Sequence, residues 1–225
     1  MSIPASIRFL IACLALSLVL APGCGSRDPE QTPPATAPDR TTEEQVVEEV
    51  FVVLETTAGS ILIELYPALA PISVENFLAY VEDGFYNETI FHRTIPNFMI
   101  QGGGFTVEMV EKETRSGIEN EWENGLANER SSIAMARLSG RPNSATAQFF
   151  INVRDNLGLD QPADGAGYAV FGRVVAGMAV VDAIATTPTT TRAGHQNVPA
   201  EPVVITTARR ATEGEIESML RAELQ

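Results

Sequence analysis

The stretch FHRTIPNFMIQGGGF, residues 91–105, combines a strand pattern with an arginine, an amide side chain and a glycine run. Arg93 lies on a predicted strand, and Phe98, Met99 and Gln101 follow it closely. A guanidinium stays protonated at any relevant pH, so Arg93 is a fixed hydrogen-bond donor and a poor acid or base. The stretch therefore indicates a site that holds an apolar group beside a fixed charge, although a structural ion pair is the commonest role of an arginine.

A second stretch, AQFFINV at residues 147–153, supplies matching side chains. Gln148 and Phe150 share one face of a predicted strand, as Met99 and Gln101 do, because strand side chains alternate between faces. Apolar pockets combined with amide groups suit an extended peptide.

The usual catalytic motifs are absent. The sequence has no GxSxG turn, no HExxH motif and no phosphate-binding glycine loop. His92 is predicted to point to the opposite strand face from Arg93, as a core histidine or a supporting residue. An enzyme built on this sequence needs neither a nucleophile nor a cofactor, and no metal site is predicted.

The charge balance argues against a nucleic-acid partner. Acidic residues outnumber basic ones by 29 to 15 in the 225-residue chain, whereas phosphate binding requires clustered basic residues. The two cysteines, Cys13 and Cys24, precede the predicted domain. A disulfide framework or a cysteine-based metal site within that domain is therefore excluded.

Residues 1–23 are typical of an export signal. Arg8 precedes the apolar run Phe9–Ala21, which is shorter than the ~20 residues of a membrane span. The sequence APGC at residues 21–24 resembles a bacterial lipobox, which predicts a lipid on Cys24; ordinary cleavage near Ala21–Gly23 is the alternative. Residues 24–49 are rich in Pro, Thr and acidic residues and are predicted to form a flexible tether.

Residues 50–208 carry the patterns of one mainly-β domain. FVVLETTAGSILIEL, residues 51–65, predicts a β-hairpin. Ser73 is predicted to cap a helix that ends at Gly84. Further strands are predicted over Thr89–Arg93, Phe98–Gln101, Ser132–Ala136, Gln148–Val153, Ala169–Val174 and Val203–Thr207, and a second helix over Met178–Ala185. Short strands without βαβ alternation predict a closed antiparallel barrel.

Residues 209–225 form a tail beyond the domain. A capping box at Thr212–Glu215 and the apolar residues Ile216, Met219 and Leu220 predict a short C-terminal helix. Packing of this helix on the barrel is favoured over binding to a partner.

Taken together, these stretches resemble the cyclophilins, the cyclophilin-type peptidyl-prolyl cis–trans isomerases. FHRTIPNFMIQGGGF is similar to the family signature, and IAMAR (133–137) and SATAQFFINV (144–153) resemble its second signature in the bacterial form. GYAVFGRVVAGMAVVDAI (167–184) and GHQNVPAEPVVI (194–205) continue the match in the same order. The resemblance implies an eight-stranded antiparallel barrel capped by two helices.

The resemblance also implies roles for particular residues. The catalytic arginine of the family corresponds to Arg93, and its proline pocket to Phe98, Met99, Phe150 and Leu159. Gln101 and Gln148 correspond to polar groove residues, Ala136 and Arg137 to the segment that contacts the substrate backbone. Tyr168 stands where many eukaryotic members have histidine. Gly158 departs from the pattern, because the family usually has an aromatic ring there, and this predicts weak cyclosporin binding.

The implied function is isomerisation of X–Pro bonds in exported proteins, in the periplasm and with a lipid anchor. The expected partners are proline-containing segments of envelope proteins, and we expect a monomer. The alternative is a non-catalytic peptide-binding or chaperone module that uses the same groove, which the glycine at position 158 favours.

Overall fold

The computed structural model describes residues 49–224 and contains ten strands and three helices. The strands are β1 (Val50–Thr56), β2 (Gly59–Leu65), β3 (Thr89–Ile95), β4 (Met99–Thr106), β5 (Ser132–Met135), β6 (Phe149–Asn152), β7 (Val170–Ala176), β8 (Thr189–Arg192), β9 (His195–Pro199) and β10 (Val204–Arg210). The helices are α1 (Pro71–Glu82), α2 (Met178–Ala185) and α3 (Glu213–Glu223). The predicted export signal, Cys24 and all of the predicted tether except Glu49 lie outside the described residues.

Eight strands close into an antiparallel barrel in the order β1-β10-β3-β4-β6-β5-β7-β2. This confirms the predicted fold class. Apolar side chains from the inner faces of the strands form one continuous core. Phe77 of α1 lies within 5.1–5.6 Å, between ring centroids, of Tyr86, Phe149 and Phe171, and α2 adds Val181 and Ile184 to the same core.

The start of α1 differs from the prediction. Pro71 opens the helix, so Ser73 lies inside the first turn and does not cap it. The carboxylate of Glu121 accepts hydrogen bonds from the backbone N–H groups of Ile72 (3.0 Å) and Ser73 (2.7 Å). A distant carboxylate thus satisfies amide groups that a helix leaves free at its N-terminus and complements the helix dipole.

Two further differences from the prediction concern a strand boundary and an additional hairpin. The glycine run 102–104 lies inside β4 and does not end it. The β8–β9 hairpin, which is separate from the barrel, was not predicted. Thr189–Arg192 is a polar and largely exposed strand, so it lacks the apolar alternation that marks a strand in a sequence.

The predicted C-terminal helix is present as α3, and its capping box between Thr212 and Glu215 is formed. Ile216, Met219 and Leu220 pack on the outer surface of the barrel against Val53, Leu62 and Ala176, which belong to β1, β2 and β7. Packing on the barrel, the favoured role of the tail, is confirmed. No helix within residues 49–224 is both long and apolar enough to cross a membrane.

Candidate active site

A row of paired residues crosses the outer face of the barrel. Arg93 on β3 pairs with Gln101 on β4, Gln101 pairs with Phe150 on β6, and Phe150 pairs with Ala134 on β5. Directly opposed residues share one face of a sheet. The fold therefore aligns a cation, an amide and an aromatic ring, as the alternation in the two quoted stretches predicts.

This row borders a cavity of about 240 Å³, called the central cavity below. Eight of the predicted binding residues and the predicted catalytic arginine line it: Arg93, Phe98, Met99, Gln101, Ala136, Arg137, Phe150, Leu159 and Tyr168, with Gln148 as the predicted residue outside it. Met99 and Phe150 are buried, at 2% and 5% exposure. They form the apolar floor, with Phe98 and Leu159 packed beside them.

Gln148 lies in an adjoining side cavity of about 270 Å³, which shares Gln101, Ala136 and Arg137 with the central cavity. A third cavity, of about 530 Å³ and called the hairpin cavity below, lies beside the β8–β9 hairpin and is lined in part by Arg93, His92 and His195. Three adjoining cavities form a groove that runs past Arg93 on both sides, the shape that an extended chain requires.

The surroundings of Arg93 leave most of its donors free. Its Nη1 donates to Oε1 of Gln101 at 3.4 Å and approaches Sδ of Met99 at 3.8 Å. Among residues 49–224 no carboxylate forms an ion pair with it. Burial lowers the pKa of Arg93 below its ordinary value, but an arginine remains charged after such a shift.

Arg137 differs, because its side chain is only 1% exposed. Its guanidinium binds both carboxylate oxygens of Asp164 at 2.9 Å and also donates to the carbonyl oxygens of Ala166 and Gly167. It lies 4.5 Å from the ring centroid of Tyr168. The side chain thus holds the 164–168 loop and one wall of the cavity, in addition to any contact that its backbone makes with a ligand.

Tyr168 closes the cavity above Phe150. The two rings meet edge to face with centroids 5.6 Å apart, and the Tyr168 backbone N–H donates to Leu159 at 3.1 Å. Gly158 leaves the neighbouring position open, because no atom lies within 4 Å of a Cβ added there. The groove is therefore walled at Tyr168 and open beside Leu159.

His92 is buried at 4% exposure, and its Nδ1 has no hydrogen-bond partner among the described residues. It does not line the central cavity, but it borders the hairpin cavity together with Arg93, although the opposite strand face was predicted for it. Strict alternation is broken because the β3–β4 register shifts between Phe91 and Arg93. Burial is the main reason that the pKa of His92 is lowered to about 4, and Coulombic interactions with His195 and Arg93 contribute.

Two contributors to the site were not predicted. Asp164 binds Arg137, and Glu111 accepts a hydrogen bond from Gln148 at 3.3 Å. Both carboxylates come from loops, far along the chain from their partners, and neither belongs to a recognisable motif. Only the folded structure brings them to the groove.

The family model for cyclophilin type peptidyl-prolyl cis-trans isomerases matches residues 51–210. A peptidyl-prolyl cis-trans isomerase of Acinetobacter baylyi is 59% identical over 155 residues, covering 69% of this chain and 82% of the relative. Peptidyl-prolyl cis-trans isomerase B of Escherichia coli is 51% identical over 158 residues, covering 69% and 96% of the two chains.

A solved cyclophilin-type isomerase of Cryptosporidium parvum, crystallised in the presence of the dipeptide Ala-Pro, has the same fold. Its TM-score is 0.61 at 25% identity, and the alignment covers 72% of this chain and 99% of that one. The family model spans the whole barrel, including every residue of the central cavity. The chain belongs to the cyclophilin-type peptidyl-prolyl cis–trans isomerases.

Proposed function

We propose that the chain accelerates X–Pro isomerisation in exported proteins, with Arg93 as the catalytic residue and the central cavity as the proline site. The observation that carries the proposal is a guanidinium that forms no ion pair with any carboxylate of residues 49–224, at the edge of a cavity with an apolar floor. The amide of Gln101 contacts it, the amide of Gln148 contacts Gln101, and a groove extends beyond the central cavity.

The chemistry follows from the peptide bond itself. Rotation about C–N is opposed by a resonance barrier of ~18–20 kcal/mol. As the bond twists, the proline nitrogen becomes pyramidal and gains a lone pair that the planar ground state lacks. A donor at that nitrogen binds the transition state more strongly than the ground state, which is the requirement for catalysis.

Arg93 suits this role because, within residues 49–224, only one of its N–H groups is engaged by a side-chain oxygen, at the long distance of 3.4 Å. The remaining N–H groups are free to reach a proline nitrogen. Phe98, Met99 and Phe150 would surround the proline ring and exclude water, which strengthens a charge-assisted hydrogen bond. The ring is then held while the preceding carbonyl swings.

The rest of the groove would hold the peptide on either side of the proline. Ala136 follows β5, and its N–H is already bonded to the Gln148 carbonyl. Ala136 also lines the central and side cavities, so an extended substrate would pass beside this segment. The Cryptosporidium relative crystallised in the presence of Ala-Pro supports a proline-containing ligand for this groove.

A protease-coupled assay with a prolyl peptide tests the proposal. We expect clear activity from the wild type and a decrease of about tenfold or more with Arg93→Ala, because a donor to the transition state is lost. Circular dichroism should show an unchanged fold. Arg221→Ala, a matched change on the exposed surface of α3, should retain wild-type activity.

Two outcomes would count against the proposal. Wild-type protein that is indistinguishable from buffer would favour the alternative, a non-catalytic peptide-binding module, for which the open position at Gly158 is the supporting observation. An Arg93→Ala variant with full activity would remove the assigned role of Arg93.

We further propose that the protein acts in the periplasm, as a monomer anchored by a lipid on Cys24. The support is the export-signal pattern of residues 1–23, the lipobox-like sequence APGC and the polar tether that follows it. Radioactive palmitate should label the wild type and not Cys24→Ser. An unlabelled wild type would instead indicate cleavage near Ala21–Gly23 and an unanchored periplasmic form.

A further inference from the structure

A chain of hydrogen bonds connects Arg93 with a carboxylate outside the central cavity. Nη1 of Arg93 donates to Oε1 of Gln101 at 3.4 Å, and Nε2 of Gln101 donates to Oε1 of Gln148 at 3.0 Å. Nε2 of Gln148 then donates to Oε1 of Glu111 at 3.3 Å. In each of these three hydrogen bonds, the donor is the residue nearer to Arg93 along the series.

The two ends of the chain explain this single direction. A guanidinium can only donate, and an ionised carboxylate can only accept, whereas each glutamine amide can do either. With a donor at one end and an acceptor at the other, both amides have one orientation that satisfies all three bonds. If the acceptor at position 111 were lost, Gln148 could turn and donate to Gln101, which could then turn and present its NH₂ group to Arg93.

The members of the chain are held in place by the backbone. Gln101 lies directly opposite Arg93 and Phe150 in the barrel. The Gln148 side chain packs on Gly104, where an added Cβ would lie 2.5 Å from its Cγ. Glu111 forms a β-bridge with Phe105 at the end of β4, and the next residue bonds to Gly104. Glu111 is thus an exposed side chain on a fixed backbone.

We propose that Glu111 is a positioning residue, which acts through Gln148 and Gln101 to keep an amide oxygen on Arg93. This rests on the proposed role of Arg93. The bond to Gln101 engages one N–H group of the guanidinium on the β4 side, and the other N–H groups would serve the substrate. Glu111 itself reaches no atom of the reacting peptide bond.

The test compares two substitutions at the same position. Glu111→Gln retains an acceptor oxygen and should preserve the chain. Glu111→Lys offers only donors, so Gln148 would turn its oxygen outward and the reversed order would place the Gln101 NH₂ against Arg93. We expect kcat, measured by NMR exchange spectroscopy, to fall about tenfold for Glu111→Lys and less than about twofold for Glu111→Gln. The reason is that the bond between Gln101 and the charged Arg93 is lost only in Glu111→Lys.

Several controls separate this role from a general effect of charge. Glu108→Lys makes the same charge change on the same loop, at an exposed residue outside the hydrogen-bond chain, and should change kcat by less than about twofold. The double variant Glu111→Lys/Gln148→Glu restores an acceptor for the Gln101 N–H and should recover most of the lost kcat. The Kd for a prolyl peptide should change by less than about twofold in Glu111→Lys, because ground-state contacts persist.

A readout without activity completes the test. The side-chain amide signals of Gln101 and Gln148 in ¹⁵N–¹H spectra should shift in Glu111→Lys and remain near their wild-type positions in Glu111→Gln. Equal kcat values and equal amide signals in the two variants would overturn the positioning role. An inactive wild type would overturn the proposed function instead, and the amide signals would still report whether Glu111 orients the chain.

Discussion

Arg93 and Arg137 border the same cavity, but they differ in how many of their N–H groups are hydrogen-bonded within the protein. Arg137 has a side chain that is 1% exposed and binds a carboxylate and several carbonyl oxygens. Arg93 is half-buried and has one amide oxygen at 3.4 Å and a thioether sulfur at 3.8 Å. The two guanidinium groups therefore carry the same formal charge but, within the described residues, differ greatly in the number of N–H groups without a partner.

The difference separates a structural cation from one that is available to a ligand. The donors of Arg137 are taken up by the 164–167 loop, so its charge is neutralised and its guanidinium supports Tyr168. It also holds the pKa of Asp164 well below its usual range. Arg93 carries a desolvation cost, and no carboxylate in the described part of the chain offsets it, an arrangement that natural proteins retain mainly where function requires it.

The largest effect should come from exchanging each arginine for methionine, which has similar bulk and no donors. Arg137→Met should lower the Tm by about 5 °C, because several hydrogen bonds to a buried guanidinium are lost. The Asp164 end is partly exposed, so the ion pair itself contributes less than a fully buried one. Differential scanning calorimetry measures the change.

Arg93→Met provides the matched comparison. It should change the Tm by less than about 2 °C, since burial already disfavours the charge that is removed, while activity falls as for Arg93→Ala. Equal thermal effects of the two substitutions would show that the cations are not divided into a structural and a functional one.

A second prediction concerns the buried neighbour of Arg93. His92 has an ordinary pKa of 6.5 when unfolded and about 4 when folded. The unfolded chain therefore takes up a proton below about pH 6.5 while the folded one does not, so the stability present at pH 7.5 is lost progressively as pH falls towards 4. Between pH 7.5 and 5.5, the free energy of unfolding should decrease by about 1 kcal/mol less in His92→Phe than in wild type.

Urea titrations at the two pH values measure this difference. His195→Asn removes the histidine that borders the same cavity and should leave most of the His92 effect in place, since burial is its largest cause. Identical pH dependence in wild type and His92→Phe would mean that His92 is protonated in the folded chain.

The smallest effect on stability should come from closing the open side of the groove. Gly158 lies in the short 3₁₀ helix Leu157–Leu159, has free space around an added Cβ and does not have a positive φ. Gly158→Phe should therefore change the free energy of unfolding by less than ~0.5 kcal/mol. A ring beside Leu159 should strengthen binding of a prolyl peptide or cyclosporin by about threefold, measured by calorimetric titration against Gly158→Ser. Unchanged affinity would show that the ring does not reach the ligand.

The barrel class and the strand-borne part of the central cavity could be predicted from local alternation, whereas Ala136, Arg137, Leu159 and Tyr168 are assigned only through the family resemblance. Met99 with Gln101, and Gln148 with Phe150, keep a period of two along single strands, and the barrel only aligns them. The pattern also indicates α2 at its observed limits, Met178–Ala185. Short-range periodicity is preserved wherever one strand face is buried.

Features that depend on distant partners could not be predicted. Ser73 has a favourable residue type for a helix cap, but Glu121 occupies that role from 48 residues away. The Gln148 side chain approaches position 104 so closely that only glycine fits there, and no local pattern in the sequence shows this contact. Asp164 and Glu111 likewise acquire their roles only when loops meet across the groove.

The placement of α3 bears on how the protein can be handled. The helix packs on β1, β2 and β7, which lie across the closed ring from β4 and β6, the strands that carry the groove. Coupling the protein to a resin or a sensor surface through a tag that follows α3 should therefore leave the groove facing the solution. Protein immobilised in this way should turn over prolyl peptides at the same rate as free protein.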